Sequence, residues 1–210
     1  ALTPSEKLLI AQQLEKLKVD VIEAGFAASS PGDWEGVNLI AKNIKNSTIA
    51  SLARCHPDDI EQAWEAIKIA KDSRIHVFTS TSEIHMEHML RKTKEDILKD
   101  TRESVKYAKK LCQDVEFSAQ DATRTDKEFL IEVLKTAVEE GATTINVPDT
   151  VGYATPKDYL DLLQSVYEDV KGGNEDVIIS THCHNDLGLA VANSLTACLL
   201  YTSPSPRDPT

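Results

Sequence analysis

Six short β-branched runs, separated by longer stretches of helical period, leave few folds open to this chain of 210 residues. The runs are Val19–Gly25, Thr48–Ala53, Ile75–Thr79, Asp114–Phe117, Thr144–Val147 and Val177–Thr181. Their starts recur at roughly the thirty-residue spacing of a βα unit. Strands that alternate with helices predict a parallel sheet covered by crossover helices.

Local signals mark the helices independently. Thr3-Pro4-Ser5-Glu6 combines an N-cap, a proline in the first turn and a capping-box glutamate, and Ile10, Leu14 and Leu17 follow at helical spacing. Similar starts stand at Ser30-Pro31, His56-Pro57, Thr93–Asp96, Thr125–Glu128 and Thr155–Asp158, while Gly141 and Gly172 sit where helices should stop. Leu187 to about Leu200 reads as a further amphipathic helix.

Alternation alone leaves two topologies. A (β/α)8 TIM barrel is typically about 250 residues and would need one strand before Ala1 and one after the last helix, so strand 1 and strand 8 would be missing here. An open doubly wound sheet has the same alternation, but no GxGxxG or GxxxxGK follows any strand. The expectation is an incomplete α/β barrel over residues 1–198. Residues 199–210, ending in the Pro/Ser-rich Tyr201–Thr210, read as a disordered or non-native tail.

Composition bounds the partners. A net charge of −11 argues against nucleic acid and anionic membrane surfaces. No apolar run is long enough for a bilayer, and Cys55, Cys112, Cys183 and Cys198 form no CxxC pair, so reduced thiols in a cytoplasmic protein are expected.

Polar groups accumulate toward the carboxyl ends of the strands, where parallel α/β folds place their chemistry. In Thr181–Asp186 the pair His182 and His184 lies at i and i+2, so both rings of an extended segment face one side. They could ligate a divalent ion, or they could be hydrogen-bonded structural histidines. Glu23 lies in the apolar run Val21–Phe26 and reads either as catalytic or as one half of an ion pair with an arginine such as Arg54. His76 could bind substrate or bond to backbone. In Asn146–Gly152 a tight turn accounts for Pro148 and Gly152 more readily than for Thr150. His85 and His88 read as parts of an exposed loop or short helix near the rim, and the runs Lys92–Lys99 and Arg102–Lys110 as solvated helix faces.

Several blocks together resemble the 2-isopropylmalate synthase family. They are Glu23–Phe26 with Ser29–Asp33, Ala53-Arg54-Cys55, Val115–Ser118, Asn146–Tyr153 and Thr181–Ala192, and they cover nearly everything from Ala1 to about Ala197. The resemblance implies a (β/α)8 barrel that condenses acetyl-CoA with 3-methyl-2-oxobutanoate, the first step of leucine biosynthesis. It implies a divalent metal ion, Mn²⁺ or Mg²⁺ with Zn²⁺ as a further choice, on His182 and His184. It places Thr150 at the oxo-acid carboxylate, His76, Ser118, Asn146 and Pro148 around the substrate, and Gln120 at a catalytic position, while Glu23 is the other catalytic candidate on the reading of the residues given above. Gln120 stands where the family usually has Glu, and an amide cannot act as a base. An Arg-Asp pair on the first strand, an Asn ligand after the eighth strand and a leucine-sensing domain are also lacking. The whole protein is therefore expected to be a homodimeric enzyme, and this stretch alone to be inactive. Citramalate and homocitrate synthases, metal-dependent acyl-CoA lyases or aldolases, and a non-catalytic barrel remnant are the other readings.

Overall fold

The computed structural model describes residues 2–172 and 174–201. Helix α1 (Pro4–Lys16) opens the fold, followed by β1 (Val21–Gly25), α2 (Pro31–Asn43), β2 (Thr48–Arg54), α3 (Pro57–Ile67) and β3 (Ser73–Ser80). A single turn, α4 (Glu83–His85), runs into a π-helical turn (Met86–Leu90) before α5 (Lys94–Leu111) and β4 (Asp114–Gln120). Then come α6 (Lys127–Glu139), β5 (Thr144–Asp149), α7 (Pro156–Val166), β6 (Ile178–Cys183) and α8 (Ala190–Tyr201).

The strands form one parallel sheet in the order β1-β2-β3-β4-β5-β6, each beside its neighbour in sequence. A doubly wound sheet must reverse its strand order at a switch point, and this one never does. The architecture is therefore part of a (β/α)8 barrel, with successive helices packed on one another and on the strands they join.

Strand alternation separates core from site. On β4, Val115, Phe117 and Ala119 are fully buried toward the helices, as are Ile75 and Val77 on β3 and Ile145 and Val147 on β5. Each such aliphatic side chain contributes about 1.5–3 kcal/mol of transfer free energy. The residues between them, His76 and Phe78, Ser118 and Gln120, Asn146 and Pro148, share the opposite, concave face.

The helix starts follow the capping signals. Thr3 with Glu6 and Thr93 with Asp96 form complete capping boxes, and Ser30 and Thr155 cap their helices through the side chain. Gly141 and Gly172 take positive φ at helix ends. Two boundaries differ from expectation. The cap of α6 is Asp126, whose Oδ1 accepts from Phe129 N at 3.1 Å, because the Thr125 hydroxyl is already donating to Asp121 O at 2.9 Å. Helix α8 begins at Ala190 rather than Leu187, since Gly188 is left-handed at φ +73° and Ala190 N donates back to Asn185 Oδ1 at 3.2 Å. It continues through Tyr201, so the first residues assigned to the tail are helical, while 202–210 lie outside the described residues. No helix among the described residues is long and apolar enough to cross a membrane.

Thr144, at the start of β5, has a buried hydroxyl with no partner among the described residues. An unsatisfied buried hydroxyl costs desolvation energy, and valine has nearly the same shape. Thr144→Val should raise stability by about 1 kcal/mol in urea unfolding. A decrease of the same size would show that the hydroxyl has a partner in solution.

Candidate active site

A cavity of about 320 Å³ opens on the concave face. It is lined by Glu23, His76, Ser118, Gln120, Asn146, Pro148, Thr150, His182 and His184, so the structure brings all the candidate residues together. Leu52 and Phe78 complete the wall, and sequence reading gave neither a role. The signal for both was available, because each lies two residues from another inward-facing position on its strand.

Glu23 does not pair with Arg54. Arg54 is bidentate on Asp59, with Nε–Oδ2 at 2.6 Å and Nη2–Oδ1 at 3.0 Å, at the first turn of α3. Glu23 instead takes His76 Nδ1–H in a short hydrogen bond. The other ring nitrogen of His76 lies 2.6 Å from Ser118 Oγ, which also accepts from Asn146 Nδ2 at 2.8 Å. Glu116, two residues before Ser118 on the same face, has Oε1 3.9 Å from His76 Nε2 and is itself held by Arg74 at 3.0 Å. Burial disfavours a charge on His76, but the hydrogen bond to Glu23 and the fields of Glu116 and Glu23 outweigh it, so its pKa is raised. As an imidazolium, His76 donates to both Glu23 and Ser118, which leaves the Ser118 proton free for another acceptor.

The rings of His182 and His184 stand side by side, centroids 4.9 Å apart and planes 52° apart. His182 has its pKa lowered, first by burial and then by His184, despite the opposing field of Glu23. A neutral imidazole keeps the lone pair that a metal ligand needs. Among the described residues no group of three or more His, Cys, Asp or Glu could hold a metal ion. These two rings therefore fit as part of a donor set, completed by oxygen donors from ligand or water.

The turn after β5 holds this pair in place. His184 N donates to Asp149 O at 3.0 Å and Leu187 N to Gly152 O at 3.2 Å. The buried Asp149 carboxylate accepts from the amides of Gly152, Tyr153 and Ala154 and from Thr123 Oγ1, so it organises the turn. Gly152 has φ +67°, and a Cβ there would lie 2.4 Å from Asp186 Oδ2 and 2.9 Å from His184 C. Thr150 Oγ1 accepts from Asp121 N at 3.1 Å, which leaves its proton available to a ligand.

The segment after β3 is the short helix that was one of the two readings, and only the surroundings of His85 differ from it. His85 is not simply exposed: its Nδ1 is 2.8 Å from Ser82 Oγ and 3.0 Å from the buried carboxylate of Asp121, which also binds Arg124. His88 is exposed beside Glu87.

A barrel segment with this concave face defines the class. Residues 1–200 match the HMGL-like family, and the chain belongs to it. Among curated relatives, 2-isopropylmalate synthase of Dictyoglomus turgidum (strain DSM 6724 / Z-1310) is 52% identical over 93% of this chain and 39% of its own length. That of Pyrococcus furiosus (strain ATCC 43587 / DSM 3638 / JCM 8422 / Vc1) is 54% identical over 94% of this chain and 39% of its own. The chain thus spans about two fifths of the length of the relatives it matches. Solved hydroxymethylglutaryl-CoA lyases share the fold. That of Bacillus subtilis aligns with a TM-score of 0.78 at 22% identity, covering 95% of this chain and 68% of its own. That of Pseudomonas aeruginosa gives 0.77 at 19%, covering 95% and 67%.

Two outcomes follow from this geometry. Gly152→Ala adds positive-φ strain and a Cβ clash, so it should cost about 1–3 kcal/mol and shift the His184 ring resonances in NMR. Unchanged His184 resonances would mean the turn does not hold that segment.

The second outcome concerns pH. The native state binds the His76 proton more tightly than the unfolded chain does. That stabilisation is full below the unfolded value of 6.5 and is lost as pH rises through the higher native value. Glu23→Gln should therefore destabilise more near about pH 6 than near about pH 8.5 in urea unfolding. Equal losses at both would remove the charge on His76 from the account.

Proposed function

We propose that this chain is the oxo-acid-binding part of a 2-isopropylmalate synthase, which condenses acetyl-CoA with 3-methyl-2-oxobutanoate. The observation that carries the reading is the gathering of two adjacent imidazoles, the Thr150 hydroxyl and the Glu23–His76 pair around one cavity. It occurs in a chain more than half identical to enzymes of that name.

His182 and His184 would hold a divalent ion, Mn²⁺ or Mg²⁺ with Zn²⁺ as a further choice, which supplies Lewis-acid polarisation of the oxo acid. Thr150, with its proton outward, donates to the substrate carboxylate. Leu52, Phe78 and Pro148 offer an apolar wall to the branched side chain. Among the described residues Glu23 is the one carboxylate lining the cavity, with one oxygen on His76 and a side chain that is 41% exposed. Glu23 takes a proton from the acetyl methyl, and the C–H electron pair becomes the C=C bond of an enolate as the thioester C=O pair moves onto oxygen. The enolate carbon then bonds to the oxo carbon, whose C=O pair moves to its oxygen and collects a proton from the His76–Ser118 pair. Water hydrolyses the thioester, leaving 2-isopropylmalate and the CoA thiol. The whole protein works as a homodimer in the cytoplasm.

The test is CoA release by the whole protein that carries this chain, with 3-methyl-2-oxobutanoate, pyruvate and 2-oxoglutarate compared. The first should dominate. A preference for pyruvate or 2-oxoglutarate would move the assignment to citramalate or homocitrate synthesis, and no release with any would sink it. His182→Ala and His184→Ala should each lower metal affinity in titration and reduce turnover about 10³-fold, the loss of a Lewis-acid effect of several kcal/mol.

A further inference from the structure

The residue after β4, Asp121, is tied to the cavity without lining it. It is fully buried, and its backbone is left-handed at φ +67° and ψ +37°. That conformation is strained for any residue with a side chain, although Asp and Asn tolerate it best. Here the carboxylate anchors it. Oδ2 accepts from Ser82 Oγ and, at 2.7 Å, from Arg124 Nη2, while Oδ1 accepts from Arg124 Nε at 2.9 Å. His85 Nδ1 lies 3.0 Å from Oδ2. The backbone carbonyl accepts from Thr125 Oγ1 at 2.9 Å and from Arg124 N at 3.1 Å. The remaining polar group, the amide, reaches across to the end of β5 and donates to Thr150 Oγ1 at 3.1 Å.

Two of these partners give up ordinary local roles. Ser82 stands at the N-cap of α4 but makes no side-chain cap bond, because its hydroxyl is turned to Asp121. Thr125 stands just before α6 and leaves the cap to Asp126. Segments after β3 and β4 thus converge on one buried residue, whose amide fixes a hydroxyl on the cavity wall. We infer that Asp121 is a positioning residue, which aims its amide at Thr150 Oγ1 so that the hydroxyl proton turns toward the carboxylate of the 2-oxo acid. The inference rests on the condensation reading above, which supplies the oxo acid. Without that amide the hydroxyl can rotate among its staggered positions, and part of the ligand's binding energy goes into fixing it.

Asp121→Gly keeps the left-handed backbone accessible and removes the anchor. In the whole protein it should raise KM for 3-methyl-2-oxobutanoate about tenfold, the worth of one hydrogen bond to a charged group, with KM for acetyl-CoA within about twofold. Thr150→Val should raise the same KM by a similar factor. Adding Asp121→Gly to Thr150→Val should then raise it less than about twofold further, because no hydroxyl is left to aim. Asp121→Asn, which keeps one acceptor oxygen, and Ser82→Ala should each give a smaller rise of about threefold. Thermal melts check folding, and these two milder variants carry the test if Asp121→Gly does not fold. An unchanged KM for the oxo acid in folded variants would overturn the inference. So would losses that add fully in the double variant, since a residue that only stabilises the fold acts alike in both backgrounds. The same non-additivity in calorimetric binding of 3-methyl-2-oxobutanoate, without CoA release from any oxo acid, would keep the positioning role and sink the condensation reading instead. Neither binding nor release would overturn both.

Discussion

Every strand of this sheet has its helices on one side, and the site depends on that asymmetry. Parallel strands need long crossovers, and here the crossover helices cover one face with Ile, Val, Leu and Ala that are almost wholly removed from water. The other face is left to the alternate residues, and those need not be apolar. His76, Glu116, Ser118 and Asn146 can sit deep in the sheet because each finds its partner on the adjacent strand.

Partners across strands also decide the charges. Arg74 is held by Asp114 and Glu116, and burial is more than offset by those two carboxylates, so it remains a fixed cation. Glu116 in turn lies near His76, which Glu23 binds from the other side. Removing one member strands the charge of the next, which is why such buried networks are costly to break and weak as simple stabilisers. Their value lies in setting the protonation of His76 and the direction of the Ser118 proton.

What the sequence reveals is mostly what is local. Capping boxes, prolines in first turns and β-branched runs act over a few residues, and α1, α2, α5 and α7 start where those signals stand. Barrel and doubly wound sheet share the same alternation, so only the observed strand order separates them. The partner of Glu23 was not legible either, because it lies on β3 and is chosen by strand register, while Arg54 is taken by Asp59 within its own turn. Glu116, Leu52 and Phe78 escaped notice for a different reason: an inward-facing residue in mid-strand carries no mark except its parity with a recognised neighbour.

Parity explains why the residues converge; their hydrogen bonds explain what they offer. Thr150 accepts from the Asp121 amide and so presents its proton, while Asp121 itself is locked by Arg124 and Ser82 in a left-handed backbone. Gln120 accepts from Ser80 and so presents its N–H groups. Ser118 accepts from Asn146 and, with His76 charged, from the ring as well, and presents its proton in the same way. In each case a bond within the protein fixes which end of the group is left for a ligand, before any ligand arrives. Donors set in advance need no reorganisation as charge develops, and that is the physical basis on which such a cavity could favour an anionic transition state over its neutral precursor.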